Sequence, residues 1–198
     1  ELSDIVIGDV WLCAGQSNIA GNIRSAVSSK NHPPDTVAVA HYPALRVLRV
    51  EEKAWDVGTP ETVLGCSRVS FFFARRVQQD ALVPIGLIVR AVGGSNIESW
   101  LNQDPHPVGA NYTKLMTPVI GYGIRGGIWY QGESNSNDGL AYRPKLESLI
   151  TGWRKVWEQG DFPFHFVQLP GINESPTDHP AMGDGRAGIR QAFFETLA

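Results

Sequence analysis

The chain has 198 residues, a size that one hydrophobic core accommodates, since single cores stop growing near roughly 250–300 residues. Hydrophobic residues make up 42% and charged residues 19%, which excludes a disordered chain. Basic residues number 17 and acidic residues 20, a net charge of −3, and no basic run exceeds Arg75-Arg76, so the composition argues against a nucleic-acid partner.

Taken in chain order, short and nearly continuous apolar runs at Ile5–Cys13, Leu45–Val50, Pro84–Val92, Gly127–Tyr130 and Phe162–Leu169 read as strands buried on both faces. Helical spacing appears at 67–80 (Val69, Phe72, Phe73, Val77) and at 140–158 (Tyr142, Leu146, Leu149, Ile150, Trp153, Trp157). The last fourteen residues put Ile189, Phe193 and Leu197 on one stripe. Strands alternating with helices predict a three-layer α/β fold, a parallel sheet with helices on both faces. Residues 1–198 are expected to form a single domain. The Asn22–Tyr42, Asp104–Asn111 and Gly171–Gly185 stretches read as surface loops. No run reaches the ~18 apolar residues that span a bilayer, so no membrane association is expected. Cys13 and Cys66 are too few for a disulfide framework or a four-ligand zinc site and read as buried free thiols. No metal or cofactor is expected.

One local pattern follows three of the strands. Gly15-Gln16-Ser17-Asn18 follows the first, Gly93-Gly94-Ser95-Asn96 the third, and Gly132-Glu133-Ser134-Asn135 the fourth. In a parallel sheet these turns meet at the carboxyl edge, where open α/β sheets bind ligands. The bland reading is three ordinary strand-to-loop turns built from turn residues. The sharper one is a serine nucleophile with N–H donors for an oxyanion. Ser17 is the best placed of the three, on the elbow after the most continuous strand. The elbow is not the Gly-x-Ser-x-Gly of the α/β-hydrolases, because Ile19 stands where that pattern wants glycine.

Asp9 to Asn18, Gly93 to Trp100 and Trp129 to Asn135, in that order, resemble the sialate O-acetylesterases, which belong to the SGNH (GDSL-like) hydrolases and have acetylxylan esterases as near relatives. Phe162–Leu169 looks like their next strand. The resemblance implies an SGNH-hydrolase, flavodoxin-like fold and removal of O-acetyl groups from a sugar, most directly sialic acid, with acetylxylan as the alternative substrate. Carried over residue by residue, it implies Ser17 as nucleophile with its own N–H as first oxyanion donor. Gly94 supplies the second donor, with Gly93 as rival, and the Gln131 amide the third. Glu133 is implied to brace its turn or to orient a histidine, and Asn18 to join the binding set. Ser95 and Ser134 take supporting roles. A secreted, periplasmic or lysosomal location is what the family would suggest.

A serine hydrolase of this kind also needs a histidine base held by a carboxylate. None of the five histidines fits the family's Asp-x-His or Asp-x-x-His pattern near the C-terminus. His165 alternates with Phe164 and Phe166 and reads as structural; His32 and His41 lie in a loop; Asp104-Pro105-His106 lies mid-chain. His179, in Thr177-Asp178-His179-Pro180, is late in the chain but has threonine where aspartate is wanted. The other account is that the last strand and its histidine lie beyond Ala198, in a longer parent with further domains. A rival from another class is a sugar-binding scaffold with the same pocket and no base. Gly121-Tyr122-Gly123-Ile124-Arg125-Gly126 spells a dinucleotide fingerprint, but it leads into a strand instead of opening a helix.

Overall fold

The computed structural model describes residues 4–27, 41–49, 54–171 and 185–197. Six strands form one sheet: β1 (Asp9–Gly15), β2 (Tyr42–Leu48), β3 (Asp56–Gly58), β4 (Ile85–Ala91), β5 (Gly126–Tyr130) and β6 (Phe164–Phe166), in the order β3-β2-β4-β1-β5-β6. All neighbours run parallel except β2 and β3. The sheet is therefore mixed, where strand-and-helix alternation predicted a parallel one. Three residues are too few to show a period, and β3 returns antiparallel on β2, where Arg49 and Asp56 form an ion pair.

Side chains alternate along β1, and that alternation builds two cores. Leu12 and Ala14 join Trp100, Trp129, Tyr142, Trp153 and Phe193 on one face. Trp11 and Cys13 join Ile19, Val63, Phe71, Ala74 and Val89 on the other. The first face is covered by α5 (Tyr142–Trp157) and α6 (Gly185–Thr196), and the second by α1 (Ser17–Ala20), α3 (Pro60–Gly65) and α4 (Arg68–Ala81). The helices expected at 67–80, 140–158 and the C-terminus are these three longest ones. Thr59 and Thr62 close a reciprocal capping box on α3, and Ser67 caps α4 by accepting from Ser70 N–H. The short helices α1, α2 (Ile23–Val27) and α3 carry no legible period, having six residues or fewer.

Strand limits follow from pairing. β1 begins at Asp9, not Ile5, because Asp9 N–H donates to Pro84 O and β4 offers no ladder before Ile85. Ile5, Val6 and Ile7 are consequently exposed. β6 covers only Phe164–Phe166, since its partner β5 ends one residue past the Trp129↔Phe166 pair. Among the described residues, β6 has β5 as its one strand partner.

Both cysteines are buried and free, and burial pushes the Cys13 thiol up to about 12 and Cys66 up to about 11. They are packing residues at neutral pH. No described helix is long and apolar enough to cross a membrane.

Candidate active site

The three central strands β4, β1 and β5 end level with one another: Gly15 pairs with both Ala91 and Tyr130. All three Gly-x-Ser-Asn turns therefore leave from one edge of the sheet. The turn after β1 needs glycine. Gly15 has φ +147°, and a Cβ there would lie 2.1 Å from Tyr130 O. Beyond it, Gln16 N–H donates to Tyr130 O and Val92 N–H donates to Gly15 O, so the strands stay locked up to the elbow.

The serines differ in what they do. Ser17 opens α1, is exposed, and its hydroxyl has no hydrogen bond among the described residues. Ser95 is committed: its Oγ donates to Val92 O at 2.8 Å and accepts from Trp100 Nε1 at 3.0 Å. Ser134 is exposed, and its backbone N–H donates to Gln16 Oε1 at 3.3 Å. Gly93 lies beside the elbow, since a Cβ on it would meet Ser17 Cβ at 4.0 Å. Gly94, with φ +72°, has open space where a Cβ would be, which is room for a ligand to approach the backbone.

The asparagines differ as well. Asn18 Nδ2 donates to Glu133 Oε1 at 2.6 Å, joining the first turn to the third. The second oxygen of Glu133 is buried and has no partner. Asn96 Oδ1 accepts from Ser99 N–H, capping the helical turn Ile97–Trp100. Asn135 is the hub. Its Oδ1 accepts from Ile97 N–H at 2.9 Å and Gln131 Nε2 at 2.8 Å, while its Nδ2 donates to Glu98 Oε2 at 3.0 Å and Asp138 Oδ2 at 2.8 Å. Lys145, on α5, closes the network with ion pairs to Glu98 and Asp138.

Gln131 is wholly buried, and its amide is engaged on every side. Nε2 faces three acceptors with its two hydrogens, Gln16 Oε1 at 3.1 Å, Ser95 O at 3.0 Å and Asn135 Oδ1 at 2.8 Å, so one hydrogen is shared; Oε1 accepts from Tyr142 Oη at 2.7 Å. The third oxyanion donor implied by the family resemblance thus has both amide hydrogens directed at protein acceptors.

Burial by itself would push the Glu98 carboxyl up, but hydrogen bonds from Lys145 and Asn135 outweigh it and hold Glu98 below its ordinary value. A depressed carboxylate contributes stability above the ordinary value of 4.5, lost as pH falls through the folded value. Thermal melts should therefore drop more steeply between pH 5 and pH 3 for the native chain than for Glu98→Gln. Parallel curves would remove Glu98 from the acid response.

No described histidine completes the site. His41, His106 and His165 make no hydrogen bond to Ser17. His165 stacks on Trp11 with ring centroids 5.7 Å apart, near the start of β1 and about 13 Å along the strand from Gly15 at ~3.3 Å per residue. The reading of it as structural agrees with that position. The segment holding His106 lies along α5, where Gln103 Nε2 donates to Ser148 O and Thr151 Oγ1. His179 and His32 lie outside the described residues, as do Asp178 and Glu51-Glu52. The Gly121–Gly126 segment leads into β5 and opens no helix. Among the described residues no cluster of His, Cys, Asp and Glu could hold a metal.

Gln16, Glu98, Asp138 and Lys145 were not singled out by sequence reasoning. Gln16 and Glu98 sit inside the quoted turn motifs, but nothing in spacing says that Lys145, ten residues past Asn135 and on another element, returns to them.

The family described as carbohydrate esterase, sialic acid-specific acetylesterase matches residues 7–191. The chain is 28% identical over 217 residues to the human sialate O-acetylesterase, an alignment covering 85% of this chain and 41% of that protein. It thus spans about two-fifths of the length of this curated relative. Among solved structures it is similar to a carbohydrate acetylesterase from Xanthomonas citri, with TM-score 0.81 and 26% identity, covering 96% of this chain and 47% of that one. A protein from Arabidopsis thaliana shares the fold, with TM-score 0.68 and 20% identity, over 96% of this chain and 81% of that one.

Proposed function

Because the chain belongs to the sialic acid-specific acetylesterase family of carbohydrate esterases, we propose that it carries a serine esterase site that removes O-acetyl groups from sugars, with O-acetylated sialic acid as substrate and Ser17 as nucleophile. The observation that carries this reading is that at one sheet edge Ser17 is exposed and uncommitted while Ser95 is held from both sides. Ser134, also exposed and with a hydroxyl unbonded among the described residues, lies in the third turn, whose motif is not the family's nucleophile block. A nucleophile must be free to meet its substrate.

In this mechanism Ser17 Oγ bonds to the acetyl carbonyl carbon while its proton passes to a histidine base, and the carbonyl π pair moves onto oxygen. The Ser17 and Gly94 backbone N–H groups stabilise that oxyanion, with Gly93 the alternative to Gly94. Collapse expels the sugar oxygen, which takes the proton from the base. Water then attacks the carbonyl of acetyl-Ser17 as the same base takes its proton; the bond between the acyl carbon and Ser17 Oγ breaks, acetate leaves, and the base returns the proton to Ser17 Oγ. His179 is the candidate base of this sequence, and Glu133 with Asn18 braces the first turn against the third.

The test is covalent labelling of the full-length protein. A serine-directed phosphonate should label Ser17 alone, and an activated acetyl ester should give a burst of one equivalent per site. Labelling at Ser95 or Ser134 overturns the assignment. No label and no burst would overturn the esterase reading in favour of its rival, a sugar-binding scaffold without a base.

A further inference from the structure

Hydrogen-bond direction around Gln131 can be followed atom by atom, and it ends on a side chain next to Ser17. Ser95 O is a carbonyl and can only accept. Asn135 presents its Oδ1, because Ile97 N–H donates to that atom. The Gln131 atom facing both is therefore its nitrogen. On the other side, Trp129 Nε1–H donates to Tyr142 Oη at 3.0 Å, leaving the Tyr142 hydroxyl proton for Gln131 Oε1. Burial chiefly, together with the carboxylates of Glu133, Glu98 and Asp138, raises the Tyr142 pKa, so the phenol remains a donor. Gln131 cannot flip without setting two oxygens against its own.

The fixed Gln131 then fixes Gln16. The Gln16 atom that shares a Gln131 Nε2 hydrogen at 3.1 Å also meets Ser134 N–H at 3.3 Å, and a backbone N–H can only donate, so that atom is Oε1. Gln16 Nε2 is turned the other way. Among the described residues nothing accepts from it, and it is not one of the fully buried orphaned atoms. Gln16 is otherwise nearly buried, at 3% exposure, and precedes Ser17 directly. An NH2 group held this rigidly and left without an acceptor, one residue from the nucleophile, is a preorganised donor.

We propose that Gln16, not Gln131, supplies the side-chain donor to the acyl oxyanion, and that Gln131 is a positioning residue that acts through Gln16. The proposal rests on Ser17 being the nucleophile. The chain Trp129, Tyr142, Gln131, Gln16 sets which end of the Gln16 amide faces the substrate.

Gln16→Glu separates the two ends of that amide. A carboxylate still accepts from Gln131 and Ser134 but no longer donates. In the full-length protein, Q16E should lower kcat for a small activated acetyl ester by about 10²–10³-fold with KM within a few-fold. Gln131→Ala should lower kcat in the native background and have little further effect in Q16E, since one acts through the other. A merely structural Gln131 would lower the melting temperature equally in both backgrounds and kcat in neither. Unchanged kcat in Q16E, or a change in KM alone, overturns the proposal. The crystal structure of the native protein with phosphonylated Ser17 gives a readout independent of variant folding. Gln16 Nε2 within ~3.2 Å of the phosphoryl oxygen supports the proposal, and Gln131 Nε2 on that oxygen overturns it. An inactive native protein, or a Ser17→Ala variant that keeps full activity, would instead sink the esterase reading itself.

Discussion

Ser17→Ala should lower kcat for acetyl ester hydrolysis by about 10⁴-fold or more, because it removes the proposed nucleophile and with it the covalent route. Its melting temperature should barely move. Ser17 is exposed and its hydroxyl holds nothing in place, and such surface changes usually fall within about 0.5 kcal/mol. Ser95→Ala should show the opposite pairing. It leaves Trp100 Nε1 in the core without its acceptor, costing about 1–3 kcal/mol, while most activity survives. Steady-state kinetics with scanning calorimetry on both variants checks the contrast. Equal loss of activity in the two would mean that the turns act as one mechanical unit and that Ser17 has no special role.

Asn135→Ala should be the most damaging single change at the site. Asn135 makes four hydrogen bonds, to Ile97 N–H, Gln131, Glu98 and Asp138, and it is buried. Alanine fills none of them and leaves two carboxylates and a backbone N–H partly unsatisfied. At about 1 kcal/mol or more for each partner left wanting, we expect roughly 3–4 kcal/mol of lost stability. For a chain of this size that is about 6–16 °C in Tm, since 1 kcal/mol moves Tm by ~2–4 °C. Activity should fall as well, because Asn135 helps hold the amide of Gln131. A Tm within 2 °C of the native protein, by calorimetry at neutral pH, would show that water replaces the lost partners at little cost.

The two effects have different origins. In the proposed mechanism Ser17 acts by chemistry while its exposed hydroxyl holds nothing in place, and Asn135 acts by holding the geometry of the turns. Between them lies the buried amide of Gln131, tied to β1 through Gln16, to the second turn through Ser95 O, and to α5 through Tyr142.

Much of this was open to reading in the sequence. Apolar runs of four to nine residues announced the central strands, because a strand buried on both faces is built mainly from apolar side chains. The 3.6-residue period announced α4, α5 and α6. The three Gly-x-Ser-Asn turns announced the site, because parallel strands must all end on the same edge. The strand limits at Asp9 and Phe166, and the antiparallel β3, were not legible: pairing stops where the neighbour stops, and the neighbour is far away in sequence. Strand continuity and the family resemblance favoured Ser17 over Ser95, but the shared motif did not say why they differ. Both sit in the same local motif, and what separates them is Trp100 Nε1, which reaches Ser95 only after Trp100 has packed against Trp129 in the core. Which end of an amide faces outward is less local still. The orientation of Gln16 depends on donors from the turn after β5, Gln131 Nε2 and Ser134 N–H, more than a hundred residues away, and only the folded chain brings them to one point.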